Sequence, residues 1–117
     1  MINTLDDIKH KARVYAAERD WEQFHTPKNL AMALSVEASE LVEHFQWLSQ
    51  EQSASLPEHT LAAVADEIAD VQVYLVMLAD KLGVDILPAV AGKMLKNEMK
   101  YPAEKVRGSA RKYTEYE

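Results

Sequence analysis

Cysteine is absent from the 117 residues. That excludes a disulfide framework and any metal centre built on thiolates. Glycine occurs three times and proline four times, and the prolines and Gly83 stand where helices would begin or end. No low-complexity tract and no short-period repeat is present. Basic side chains are in the minority, 13 Lys and Arg against 19 Asp and Glu, for a formal net charge of −6. So acidic a chain lacks the basic face that a phosphate backbone requires, and no nucleic-acid partner is expected. No apolar run approaches the ~18 residues of a membrane span. The first residues also lack the charged-then-apolar layout of a signal peptide. The expectation is a soluble, cytoplasmic domain with no membrane partner.

Hydrophobic residues make up 48% of the chain, enough to build a core. The length suits a single domain over 1–117, with 103–117 as a basic C-terminal tail. Charge is unevenly distributed: residues 1–92 hold 6 basic and 15 acidic side chains, residues 93–117 hold 7 and 4. An acidic body with a basic end suits joint binding of a cation and an anion, as in a metal–phosphate complex. Ordinary surface charge would look the same.

The pattern predicts four helices and no strand. The first covers about Leu5 to Asp20, capped by Thr4, with Asp6 and Asp7 at the positive end of the dipole. The second covers about Pro27 to Leu48, opened by Thr26 and a first-turn proline. The third covers about Pro57 to Leu82, with Ser55 and Glu58 at capping-box spacing and Gly83 as its stop. The fourth covers about Ile86 to Lys100, opened by Asp85, with Pro88 in its first turn and Tyr101-Pro102 at its end. The third is apolar nearly all round, because Ile68, Val71, Val73, Leu75, Val76, Met77 and Leu78 cannot share one stripe. A helix of that kind is covered on several sides. The expected architecture is therefore all-α, a four-helix bundle completed by homo-oligomerisation, a dimer or a dimer of dimers.

Four acids stand out against this background. At about 100° per residue, Leu30, Leu34, Leu41 and Leu48 lie within about 60° of Glu37 on one side and Ala33 lies on the other. Glu37 is thus central in an apolar arc, and Glu40 flanks it. On the third helix Glu67 is central among Ala63, Val64, Val71 and Leu78, with Asp70 on its flank. A carboxylate buried without a partner costs several kcal/mol or stays protonated. If the two helices pack, four carboxylates converge, and no Lys or Arg lies one turn away on either stripe. A divalent cation is the natural counter-charge. All-oxygen donors favour Mg²⁺, with Mn²⁺ as a substitute. The alternative is that some of these acids face solvent or pair with a distant cation.

Glu37-x-x-Glu40 followed by Glu67-x-x-Asp70 resembles the all-α nucleoside triphosphate pyrophosphatases of the MazG-like superfamily, most closely the dCTP pyrophosphatase branch. The resemblance is carried by ERDWEQFHTPKNL (18–30), EASELVEHFQW (37–47), DEIADVQVYLVMLA (66–79), KMLKNEMKYP (93–102) and GSARKYTE (108–115), and spans about residues 5–115. It implies hydrolysis of a dCTP-like substrate between the α and β phosphates, giving monophosphate and pyrophosphate, in the service of nucleotide-pool cleaning. It implies that Glu37, Glu40, Glu67 and Asp70 ligate Mg²⁺, with Glu37 or Glu40 the general base. Lys93 and Asn97 match phosphate-side and nucleotide contacts; a solvated lysine is the alternative for Lys93. Trp21 and Trp47 match aromatics around the base, where core packing is the alternative. Tyr74 matches a residue near the sugar, against a plain core role, and His25 a residue lining the base pocket, against an exposed loop histidine. His44 stands beside Glu37 and Glu40, either orienting one of them or simply packed. Nine residues before Trp21, where close relatives carry a histidine, this chain has Ala12, with His10 two residues earlier. That departure weakens the carry-over of cytosine preference and leaves the acids untouched. The tail cations Arg107, Arg111 and Lys112 resemble a segment that closes over phosphate or meets a neighbouring subunit; an exposed tail is the equal alternative.

Three other readings compete. A carboxylate di-iron bundle needs Glu-x-x-His on two core helices, and Glu22/His25 at a helix end is the one instance here. A non-catalytic helical interaction module leaves the four acids unexplained. Within the superfamily, a dUTP or phosphoribosyl-ATP pyrophosphohydrolase is the remaining option, against which the tryptophan contexts weigh.

Overall fold

The computed structural model describes residues 1–110, and every regular element among them is helical. The order is α1 (Leu5–Glu18), a 3₁₀ turn (Glu22–Phe24), α2 (Pro27–Glu43), α3 (Gln50–Ser53), α4 (Glu58–Leu82), α5 (Ile86–Lys100) and α6 (Ala103–Val106). No helix among the described residues is long and apolar enough to cross a membrane. The chain divides into two compact units, Met1–Gly83 and Val84–Glu117.

In the first unit, Thr4 caps α1 as expected. Its hydroxyl accepts from the Asp7 N–H at 3.1 Å while Asp7 Oδ2 accepts from the Thr4 N–H, also at 3.1 Å. The helix stops at Glu18, two residues before the expected end. Asp20 takes a positive φ of 54°, a left-handed conformation that costs about 1 kcal/mol outside glycine and cannot continue a helix. The chain doubles back there, so that the Trp21 N–H donates to Ala16 O at 3.0 Å. Thr26 and Pro27 open α2 in the expected way, the Thr26 hydroxyl accepting from Asn29 N–H at 3.2 Å.

Two corrections concern α2 and α4. The second helix does not run to Leu48. From His44 the bonds tighten to three-residue spacing, Phe45 N–H to Val42 O and Leu48 N–H to Phe45 O, each at 2.9 Å. Ser49 then opens α3 through a capping box with Gln52, which requires extended backbone at Ser49 and bars a continuous helix. Likewise Ser55 does not cap the third long helix. Pro57 occupies the N-cap without any side-chain bond, and the Ser55 N–H is spent on Gln52 O at 3.2 Å. The other end is as expected: Gly83, at φ 68°, terminates α4 in the left-handed conformation.

The long α4 packs against α2 along one side and α1 along another. The most buried side chains are Ala16, Leu30, Val64, Val76 and Ala79, with Leu30 only 1% exposed. Full burial of one such leucine contributes about 1.5–3 kcal/mol. Among the described residues, α1 and α2 are the main neighbours of α4, and part of that helix's apolar surface stays open. Leu61, Ile68, Leu75 and Leu82, seven residues apart in turn, remain 55%, 55%, 41% and 58% exposed.

The second unit contains α5 and α6. Asp85 precedes α5 with extended backbone, Pro88 fits in the first turn, and the helix closes with the Tyr101 N–H on Asn97 O at 2.8 Å. The tail, expected without firm structure, forms the one-turn α6, where Arg107 is the C-cap. Arg111 and Lys112 lie outside the described residues.

A two-pronged ion pair ties α1 to α4. Arg13 Nε donates to Asp80 Oδ2 at 2.8 Å and Nη2 donates to Oδ1. The guanidinium holds the Asp80 carboxyl below the usual carboxylate range. A depressed acid stabilises the fold above its unfolded pKa and loses that contribution as pH falls through its folded one. Asp80→Asn is therefore expected to lower Tm at pH 7. The deficit should begin to shrink below about pH 4 and close further as the wild-type carboxyl protonates. Thermal unfolding across that range checks it, and a deficit independent of pH would contradict the assignment.

Candidate active site

Glu37 and Glu40 project from α2, and Glu67 and Asp70 from α4. Because these helices pack together, oxygens of Glu37, Glu67 and Asp70 come within 4.8 Å of one another. Glu37 and Glu67 are half-buried and Asp70 is exposed. Glu37 Oε2 and Glu67 Oε2 are each buried with no hydrogen-bond donor. Burial, then Glu40, then Asp70 and Glu67 push the Glu37 carboxyl up to about 7. Burial likewise raises Glu67, with Glu40 and Asp70 adding to it. Glu40 meets both central acids, its carboxyl interacting with Glu37 and with Glu67. Helical spacing accounts for the arrangement, since acids three residues apart share one side of their helix.

Donorless buried oxygens from hard ligands are the expected residue set for a divalent cation. The three-acid group therefore fits such an ion, and the two orphaned Oε2 atoms are the observation behind that fit.

Next to the acids is a cavity of about 380 Å³. Its lining brings Trp21, His25 and Tyr74 together with Asp70, backed by Tyr15 and Val73. Trp21 reaches it because of the reversal at Asp20, and its ring meets Tyr15 edge-on with centroids 5.9 Å apart. The Arg19 guanidinium lies 3.5 Å from the centre of the Tyr15 ring. Burial, followed by the charges of Glu37, Asp70 and Glu40, raises the Tyr74 hydroxyl above its ordinary pKa, so it remains a neutral donor.

Trp47 sits in the turn after α2, 86% exposed, and does not line this cavity. His44 is the C-cap of α2, its N–H directed to Leu41 O. Lys93 and Asn97 are one turn apart on α5 of the second unit, both exposed. Sequence reasoning overlooked Tyr15 and Arg19. Their four-residue spacing on α1, just before Trp21, was the available signal.

The MazG-like family profile matches residues 32–116. This chain belongs to the MazG-like family. Within that family it stands on the dCTP pyrophosphatase branch. It is 47% identical over 114 residues to dCTP pyrophosphatase 1 of Mus musculus, a match covering 96% of this chain and 67% of that protein. The human protein of the same name is 46% identical over 114 residues, with the same coverage of both chains. Among solved structures, a pyrophosphatase from Archaeoglobus fulgidus superposes with a TM-score of 0.80 at 39% identity, covering 87% of this chain and 95% of that one. The family match contains all four acids, whereas Trp21 and His25 precede it.

The acids repel one another in the absence of a cation, which gives a test independent of turnover. Glu67→Gln is expected to raise Tm in EDTA, because it removes an unpartnered buried charge. The same substitution should abolish the rise that Mg²⁺ or Mn²⁺ produces in the wild type, about 2.7 kcal/mol at a hundredfold excess over Kd. Differential scanning calorimetry with and without metal reads both effects. An equal metal-induced rise in wild type and variant would exclude this group as the site.

Proposed function

We propose that this MazG-like chain hydrolyses dCTP or a dCTP-like nucleotide between the α and β phosphates, releasing monophosphate and pyrophosphate with Mg²⁺. It is an enzyme of the nucleoside triphosphate pyrophosphatase class, as its relatives are. The observation that carries the finer reading is the adjacency of a three-acid group to an aromatic cavity, with Asp70 common to both. A nucleotide offers the matching pair of parts, a polyphosphate and a planar base.

Glu37, Glu67 and Asp70 would hold the cation. Bound there, it supplies charge neutralisation at the phosphates and a lowered pKa for an attacking water. Glu40, whose carboxyl meets those of Glu37 and Glu67, completes the set as a fourth ligand or, with Glu37 as the other choice, serves as the general base that accepts the proton of that water. Trp21 presents a face for stacking, a contact of about 1–3 kcal/mol. Tyr74 donates from its neutral hydroxyl toward the sugar side, and His25 closes the base pocket. Lys93 and Asn97 keep the phosphate-side and nucleotide roles that family resemblance suggests, and Trp47 keeps a base contact on the same ground. We treat 1–117 as one functional domain acting in cytoplasmic pool cleaning.

We also infer a homo-oligomer, supported by the row Leu61, Ile68, Leu75 and Leu82, a seven-residue repeat of exposed apolar side chains on α4. Ile68→Lys is expected to shift the protein to a smaller species in light scattering; an unchanged mass would remove this row from the interface.

Activity is tested with a panel of nucleoside triphosphates, separating products by chromatography. The expected products are dCMP and pyrophosphate, only with metal, and Glu37→Gln and Asp70→Asn should each lower kcat/KM by about a hundredfold or more. Orthophosphate as first product, or full activity in both variants, would reject the assignment. Preference for dUTP would move the chain to the other branch of the family.

A further inference from the structure

The aromatic cavity has a neighbour. A second cavity of about 280 Å³ adjoins it, and Ala12, His25 and Met77 line both. The two differ in chemistry. The first is walled mainly by apolar and aromatic side chains such as Ile8, Tyr15 and Val73. The second is ringed by Lys9, Arg13 and Lys81, with Glu22 and Asp80. Unit Met1–Gly83 contains only six Lys and Arg, and three of them line this one cavity. Arg13 is engaged by Asp80 and Lys9 lies 3.3 Å from Asp6, while Lys81, whose charge also bears on Asp80, makes no ion pair among the described residues. The ring carries three positive charges against two negative ones.

Of the three shared residues, Ala12 has the smallest side chain. It projects from α1, half-buried, and lines both cavities. Only a methyl group stands on that part of the wall.

We propose that the second cavity is a substituent pocket: a nucleotide with its base against Trp21 and Tyr74 extends a chain past Ala12 toward Lys81 and Lys9. The ligand class is a nucleoside triphosphate whose base carries an appended chain of several atoms ending in a carboxylate. Ala12 sets the specificity by leaving the passage open, and the lysines select the sign of the terminal charge. This assignment rests on the nucleotide reading above.

The experiment compares dCTP with derivatives bearing a carboxyethyl, a propyl or a cationic aminopropargyl group on ring carbon 5. It reads kcat/KM by pyrophosphate release, and Kd by calorimetry on the non-hydrolysable α,β-methylene forms. The readout is the ratio between derivatives within one protein, so a partly unfolded variant scales every value equally. The wild type is expected to favour carboxyethyl over propyl by about tenfold, the scale of one charge-assisted contact. It should disfavour aminopropargyl. Ala12→Leu, a good helix former, should lower the carboxyethyl-to-dCTP ratio about tenfold or more. Lys81→Glu should reverse the order of carboxyethyl and aminopropargyl. Equal treatment of carboxyethyl and propyl by the wild type overturns the proposal, as does a ratio that Ala12→Leu leaves unchanged. Binding ratios as expected without turnover would reject the catalytic reading alone and uphold the pocket. Failure to bind any of these nucleotides overturns both.

Discussion

Repulsion among carboxylates at the α2–α4 contact is the constraint to which the rest of the molecule answers. Glu37 and Glu67 occupy the apolar arcs of their helices, so the packing that buries Leu30 and Val64 also takes their Oε2 atoms out of water. Neither oxygen receives a donor, and burial with neighbouring acids raises both carboxyls. A buried like-charge cluster works against helix association. A hard cation held there would reverse the sign of that interaction and couple its binding to the closeness of the two helices.

Asp70 joins the two halves of the site. It contributes to the three-acid group and it lines the aromatic cavity. One turn further along α4, Tyr74 faces the same cavity and stays a neutral donor because burial, and after it the same acids, raise its pKa. A single helix therefore sets the distance from the three-acid group to the aromatic cavity. The α1 side completes that cavity through Tyr15 and Trp21, and the Arg13–Asp80 pair keeps α1 against α4. Rigid elements thus hold both halves of the site.

Local chemistry explains where the helices were readable and where they were not. Thr4, Thr26 and Gly83 act at their own positions, so the starts of α1 and α2 and the end of α4 could be placed from the residues alone. Ser55 and Glu58 had the spacing of a cap, yet Pro57 opens α4, while the pair that does cap a helix, Ser49 with Gln52, opens the short α3 and bars the continuous α2 that the pattern suggested. The break after Glu18 required a left-handed Asp20, which no hydrophobic pattern announces.

By itself the sequence determined the helical class, most of the long helices, and the direction in which each acid leaves its helix axis, because a 3.6-residue period is a property of neighbours along the chain. Only the tertiary structure decided that the acids of α2 and α4 meet, that Trp21 and not Trp47 turns into the cavity described here, and that Ala12 lines two cavities at once. Those outcomes depend on how far one helix sits from another and on single turns between them, and periodicity carries no information about either.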